Sequence, residues 1–533
     1  MPNRTAYQCL FLFLISLVLT GTTYGADANL AEAVKKDLRE HNEYTAKKNN
    51  EDATKKRLET IAANRFADWK KAAELGIAEG QVMLAVCYHY GVRVAEDKKE
   101  AVKWIRKAVE QDNADAQYRL ASYYFLGEGV PENKAEAVKW VRKAAEQGDA
   151  RAQRNLGGLY LKGIGVPPNA DEAIKWTRKA VEQGDAVAQN NLAKCYFEGI
   201  GVSQDKVEAV KWLYKSAEQG YAEAQGSLGQ FYFYGEGVSV NQEEAVKWWR
   251  KAAEQGYTEA QRALAGCYFT GTGVPEDKEK AVKWLRKAAE QGDVEVQFRL
   301  GICYLEGDGV WRDYDKAVKW LRMAAEQGDS EAQYRLGMHY YVPYVPGNQY
   351  DIDEVEKWLG MAAGQGHAEA QYQLGLYYFH KSQNNLSDFL GEQRLLTTDF
   401  NEAVKWARKA ADQGHVKAQF LLGLCYYTPH DPQNIGEAVK WFRMAADQGY
   451  VEAQCMLGLC YMSDGNSKDM EEAVKWLLKA AEQGYDRAQV NLGIIYAQGK
   501  GVTQNRAEAE KWLRTAAEQG NEAAPGILNS LEP

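Results

Sequence analysis

Eight cysteines, seven histidines and a Ser203-Gln204-Asp205-Lys206 run are the residues of this 533-residue chain whose types could support disulfide, metal or acyl-transfer chemistry. Their spacing argues against each. Cys87, Cys195, Cys267, Cys303, Cys425 and Cys460 all fall at one position of a recurring segment, three residues after a recurring Leu. Equivalent positions on stacked helices lie roughly 8–10 Å apart, beyond the ~7 Å Cα separation that a disulfide can bridge. Cys455 is five residues from Cys460 and points elsewhere on the same helix, so the cysteines are expected to serve as small apolar side chains. His41, His89, His339, His367, His380, His415 and His430 contain no H-E-x-x-H and no i, i+4 pair; they read as surface or turn residues. The run at Ser203 fits S-x-x-K without the partner motifs of such acyl enzymes. The G-x-G-V runs lack a third Gly and follow a helix, which makes them turns and not phosphate cradles. The carboxylate pairs Glu243-Glu244 and Glu471-Glu472 fall at solvated helix starts. No catalytic, cofactor-binding or metal-binding residue is expected.

The elements carrying these residues are set by a repeat, which Trp measures: Trp69, Trp104, Trp140, Trp176, Trp212, Trp248, Trp284, Trp320, Trp358, Trp406, Trp441, Trp476 and Trp512, mostly 35 or 36 residues apart. In the unit from Ala114 to Asp149, Ala116, Leu120, Tyr123 and Tyr124 form one apolar helical face. This is helix A. Gly127 and Gly129 end it, and Ala137, Trp140, Val141, Ala144 and Ala145 then form the apolar stripe of helix B. Such a hairpin cannot cover its own apolar face, so neighbours must stack. Twelve units run from Ala78 to Asn521. A helical cap including a half unit occupies 26–77, and a half unit at 522–533 closes the array.

Residues 1–25 read as an export signal, with Arg4, an apolar run from Cys9 to Leu19 and small residues at the end. The run is too short to span a bilayer, and no later segment is apolar enough, so the mature chain is expected in a periplasmic or secreted compartment without a membrane span. Its formal charge of -9 includes only Arg4 from those residues, and its basic side chains are interspersed with acids. This excludes nucleic acid as the expected partner, since that affinity needs clustered basic charge.

The pattern A-x-A-Q-x-x-L-G-x-x-Y-x-x-G-x-G-V, followed by E-A-V-K-W-x-R-K-A-A-E-Q-G, resembles the Sel-one-like repeats, a tetratricopeptide-class hairpin of 36 residues. The resemblance implies an all-α, right-handed α/α superhelical solenoid with half-repeat caps. It also implies an adaptor or scaffold that binds proteins or peptides without cofactor, in bacteria often exported. A disulfide-rich branch of the family has been linked to β-lactam binding, but this chain has only one Cys of each expected pair. An envelope enzyme or a β-lactam- or cell-wall-recognising protein is the alternative reading.

The repeated Leu of helix A (Leu84 to Leu492), the small residue after it, the Tyr four residues on and the helix B Trp are constant among units and are expected in the core. The positions two before and two after that Leu share a face and vary. Units three to six carry Arg154/Gly158, Asn190/Lys194, Gly226/Gln230 and Arg262/Gly266. Units seven to twelve carry Phe298/Ile302, Tyr334/Met338, Tyr372/Leu376, Phe420/Leu424, Cys455/Leu459 and Val490/Ile494. Two readings fit the change: an apolar partner-binding groove, or tighter coiling that buries these side chains. Arg154, Lys194 and Arg262 would steer a partner. The irregular stretch at 341–398, which includes an insertion at about 380–398, is the expected specificity element.

Overall fold

The structure is a computed structural model, and it describes residues 28–45, 50–341, 351–384, 398–427, 432–463 and 467–531. The expected export signal, the Pro-rich turn after Tyr341 and the middle of the unit-nine insertion lie outside the described residues. The described elements are all helices. Helices at 28–45 and Glu51–Glu74 precede the units, and Ala523–Ser530 follows them. Two compact bodies are present, Met1–Asp277 and Lys278–Pro533. Within each, helix A packs on its own helix B and on the hairpins beside it, the arrangement of an all-α solenoid.

The unit at 114–149 shows why the sequence folds this way. Asn113 accepts the Ala116 backbone N–H at 2.9 Å and so opens helix A, Ala114–Leu126. Such a side-chain oxygen satisfies an N–H that the first turn leaves without a partner. Gly127, at φ 71°, closes the helix in the left-handed conformation. Asn133 then opens helix B, Lys134–Glu146, through the Glu136 N–H at 3.0 Å. The second Gly of the turn has another cause. A Cβ on Gly129 would lie 2.3 Å from the Lys98 carbonyl oxygen of the preceding unit, so the G-x-G turn is also a docking point between units.

All twelve helix A Leu residues are buried. The residue after each is Gly or Ala because helix B sits directly on it: a Cβ on Gly423 would lie 2.5 Å from the Phe442 ring, and one on Gly229 2.5 Å from Trp249. The constant aromatics are less deeply placed than their constancy suggests. Trp69, Trp176, Trp248, Trp358, Trp441 and Trp476 are buried, but Trp104, Trp140, Trp212, Trp284, Trp320, Trp406 and Trp512 are half-buried. A Lys three residues on lies over several of these indoles, for example Lys107 at 3.8 Å from the Trp104 ring centre and Lys287 at 4.0 Å from that of Trp284. The Tyr is half-buried in most units too, and its hydroxyl takes a hydrogen bond from a helix B Arg of the preceding unit: Arg106 to Tyr124 at 2.8 Å, Arg322 to Tyr340 at 2.7 Å. These aromatics form inter-unit seams at the surface, and the deeper core of helix B is the residue after the Trp, such as Ile105, Leu213, Leu285, Leu359 and Phe442.

All seven described cysteines are buried thiols. Burial pushes Cys87 up to about 12 and Cys267, Cys303 and Cys455 up to about 11, which suits packing and not nucleophilic chemistry.

Candidate functional site: the helix A face and its clefts

Several of the variable positions on helix A meet the start of helix A of the next unit, at the residue that opens it or in its first turn. Arg154 Nη1 donates to Asp185 at 2.8 Å, and Asp185 in turn caps helix Ala186–Glu198. Lys194 pairs with Glu223. A Cβ on Gly226 would lie 2.5 Å from the Tyr257 ring. Tyr334 stacks on His367 (centroids 5.0 Å, 22°), Tyr372 on His415 (4.9 Å, 25°), and Phe420 meets Tyr450 edge-on at 5.2 Å. The polar-to-apolar change along helix A is thus matched by its partners at these junctions: ion pair in unit three, Gly under Tyr in unit five, aromatic on imidazole in units eight and nine.

Phe298, Ile302, Tyr334, Met338, Tyr372, Leu376, Phe420 and Leu424 are accordingly half-buried, packed against their neighbours' cores and open on one edge. Lys194 and Arg262 are exposed and Arg154 is half-buried. His367 and His415 do structural work. Each Nδ1 accepts a backbone N–H (Ala370 at 3.1 Å, Ala418 at 3.2 Å), which leaves the proton on Nε2 to donate to Glu331 and Glu369, both at 2.9 Å.

Within the first body the helix A face opens into clefts. One of about 350 Å³ lies against the helix at 28–45, with Arg119, Arg151, Arg154, His89 and Tyr123 among its walls. A second, of about 440 Å³, adjoins it and is lined by Phe125, Leu126, Leu159 and Ile164. A third, of about 570 Å³, is bounded by Gly226, Phe233, Tyr234, Arg262 and Gly266.

The first cleft is electrostatically built. Asp115 is enclosed by Arg119 (2.8 Å), Arg151 (2.5 Å) and Asn42 (3.0 Å). Burial alone would raise its carboxyl, but the two guanidiniums outweigh burial and hold it well below the usual carboxylate range. His41 is buried beside them, a departure from the surface or turn position expected of every His. Burial, and then the Arg119 charge, push it down to about 3. His41 is therefore neutral in the folded chain and protonates more readily unfolded. Its contribution is complete above the unfolded value of about 6.5 and is lost as pH falls from there towards 3, at about 1.4 kcal/mol per pH unit at most. Between pH 7 and 5 the N-terminal helix is expected to lose amide-exchange protection, and His41→Gln to flatten that dependence; equal slopes in both proteins would contradict the assignment.

The cleft brings Ser122, His89 and Glu128 near one another, residue types that could suggest hydrolysis, but they are engaged elsewhere. Ser122 Oγ donates to the Tyr118 carbonyl (3.3 Å), the His89 ring bonds the Tyr123 hydroxyl (3.1 Å), and Glu128 accepts from Lys98 (2.6 Å). No nucleophile contacts a base here. Among the described residues no group of three or more His, Cys, Asp or Glu is placed to hold a metal, and no helix is long and apolar enough to cross a membrane.

One constant residue of the repeat pattern carried no assigned role in the sequence: the Gln three residues before the helix A Leu in every unit. Gln117, Gln153 and their equivalents are buried, and the Gln closing helix B bonds them, as Gln147 to Gln117 (2.9 Å) and Gln183 to Gln153 (2.7 Å). Gln153 also donates to the Ala145 carbonyl of the preceding unit at 3.0 Å. The signal was present as a Gln on an otherwise apolar face, where only an internal bond makes burial tolerable.

The geometry defines a helical-hairpin repeat protein whose variable surface is helix A. Twelve consecutive segments, 78–113 through 486–521, match the Sel1 repeat model, and the chain belongs to the Sel1 repeat family. Among solved structures it is similar to c5321, a protective antigen present in uropathogenic Escherichia coli strains displaying an SLR fold: 35% identity over 87% of this chain and 90% of that one, TM-score 0.55. A Sel1 repeat protein from Oxalobacter formigenes shares 31% identity over 57% of this chain and 89% of that one, TM-score 0.45. No functionally curated protein matches the chain.

Proposed function

We propose that this chain is a non-catalytic adaptor that binds a protein or peptide along its helix A face in an exported compartment. Sel1 repeat proteins are generally protein-interaction scaffolds. The observation that carries the reading is that helix A side chains vary from unit to unit while both helix cores stay constant, and that the varying face is where the clefts and half-exposed aromatic edges lie. The apolar segment Cys9–Leu19 supports export, and amino-terminal sequencing of the mature protein tests it. Arg154, Lys194 and Arg262, with Phe298, Ile302, Tyr334, Met338, Tyr372, Leu376, Phe420 and Leu424, are the contact residues of this proposal.

The test is capture of the partner from the native envelope or secreted fraction, followed by measured affinities for variants. Tyr334→Ala with Tyr372→Ala is expected to weaken binding by a few kcal/mol, with helicity nearly kept. Arg262→Ala is expected to act mainly on association rate and its salt dependence. Full binding by the double Tyr variant removes the second body's face from the interface. Full binding by substitutions in the first-body clefts as well rejects the helix A reading altogether.

A further inference from the structure

We propose that the two adjoining clefts of the first body, one against the helix at 28–45 and the other across units two to four, form a single peptide site that reads a carboxylate next to a large apolar side chain. The inference rests on the adaptor reading and names the chemistry of its ligand.

Three guanidiniums, Arg119, Arg151 and Arg154, line the first cleft. Each is tethered from below by a carboxylate more deeply buried than itself: Asp115 under Arg119 and Arg151, Asp149 under Arg151, and Asp185 under Arg154. The tethers fix the forks without using all of their donors. Arg154 engages only Nη1, leaving Nε and Nη2 with no partner among the described residues, and Arg119 engages Nε and Nη2 but not Nη1. Fixed, half-buried guanidinium edges bind a carboxylate at low entropic cost. His41 beside them is held neutral first by its burial and then by the Arg119 charge, with Asp115 acting the other way and Arg57 and Arg151 adding to the lowering.

The second cleft has the opposite character. Phe125, Leu126, Leu159 and Ile164 line it, Leu126 is 64% exposed, and a Cβ added at Gly158 would meet nothing within 4 Å. Tyr118, Ser122, Leu126 and Arg154 belong to both clefts, so a ligand in one is in contact with the wall of the other. A peptide placing an apolar side chain against Phe125 and Leu159 brings a neighbouring acidic side chain or terminal carboxylate to Arg154 and Arg119. A neutral apolar peptide would dehydrate those donors without replacing their water, which disfavours it. The acidic character of the chain as a whole, formal charge -9, disfavours nucleic acid.

The experiment is selection of displayed random heptapeptides on the full-length mature protein, followed by fluorescence anisotropy with the strongest labelled sequence. Selected peptides should pair Asp or Glu, or the free C-terminus, with Phe, Leu, Ile, Met or Trp. Arg154→Gln should weaken binding on the order of tenfold or more, as loss of a charged hydrogen bond does. Because Arg154 also holds Asp185, a second variant is needed. Ser122→Trp fills the shared wall from an exposed position whose hydroxyl bonds only its own helix backbone, and it should abolish binding with circular dichroism and melting unchanged. Acetate should compete at least as well as inorganic phosphate at matched ionic strength. Peptides lacking acids, binding indifferent to Ser122→Trp, or displacement by phosphate alone each overturn the inference and leave the adaptor reading standing. Failure to select any peptide overturns the inference directly, and if captured partner binding also ignores every helix A substitution, the adaptor reading falls with it.

Discussion

Replacing Trp358 by Ala is expected to destabilise the second body by about 3–5 kcal/mol, the cost of emptying a large buried site. The ring is 1% exposed, packs with Leu321, Ala324, Ala325, Ala332 and Leu336, and its indole N–H is held by Glu354. In a stacked array such a loss is felt by the neighbouring units as well, so the second body's transition should move and broaden. Trp284 occupies the same sequence position but is half-buried under Lys287. Its replacement by Ala should cost about 1 kcal/mol or slightly more. Urea unfolding of the two variants side by side checks this; equal losses would mean that the Trp series is uniformly core, as its constancy in sequence suggests.

Gly129→Ala is expected to cost about 2–5 kcal/mol, because two penalties coincide. Its φ of 66° is strained for any residue with a Cβ, and that Cβ would press to 2.3 Å from the Lys98 carbonyl oxygen, a backbone atom that cannot rotate away. Gly148 is the control. It also has positive φ, 96°, but an added Cβ there meets nothing within 4 Å, so Gly148→Ala should show only the backbone term of about 1–2 kcal/mol. The difference between the two measures inter-unit docking at the G-x-G turn, and similar losses at both would show that the turn contributes conformation alone.

The repeat made most of the fold legible. Trp spacing, the buried Leu and the small residue beside it are local or recur at fixed intervals, and each helix boundary carries its own capping residue. The site was legible only in part. The variable helix A positions could be named, but their partners stand 29 to 43 residues on, from Lys194 with Glu223 to Tyr372 with His415, and the offset changes with every insertion, so pairings such as Arg154 with Asp185 or Tyr334 with His367 have no fixed sequence signal. The first cleft depends on the helix at 28–45 bringing His41 and Asn42 onto Asp115 and Arg119 of unit two, a contact across more than 70 residues that no periodicity announces. Constancy also misled where a residue joins units at the surface: the Tyr took its place for an Arg hydrogen bond and the Trp for a Lys above its ring.

The most direct test of the helix A assignment is hydroxyl-radical footprinting of the full chain with and without its captured partner. Tyr234 and Leu126 on the cleft walls are 65% and 64% exposed, whereas Trp311, at 94%, stands on a turn between helices, and Met361 and Met444 lie on helix B at 42% and 40%. Binding along helix A should lower oxidation of Leu126, Tyr234 and the half-exposed Tyr334 and Tyr372, with Trp311, Met361 and Met444 unchanged. Protection of Trp311 or the helix B methionines, with the helix A side chains oxidised as before, would contradict it.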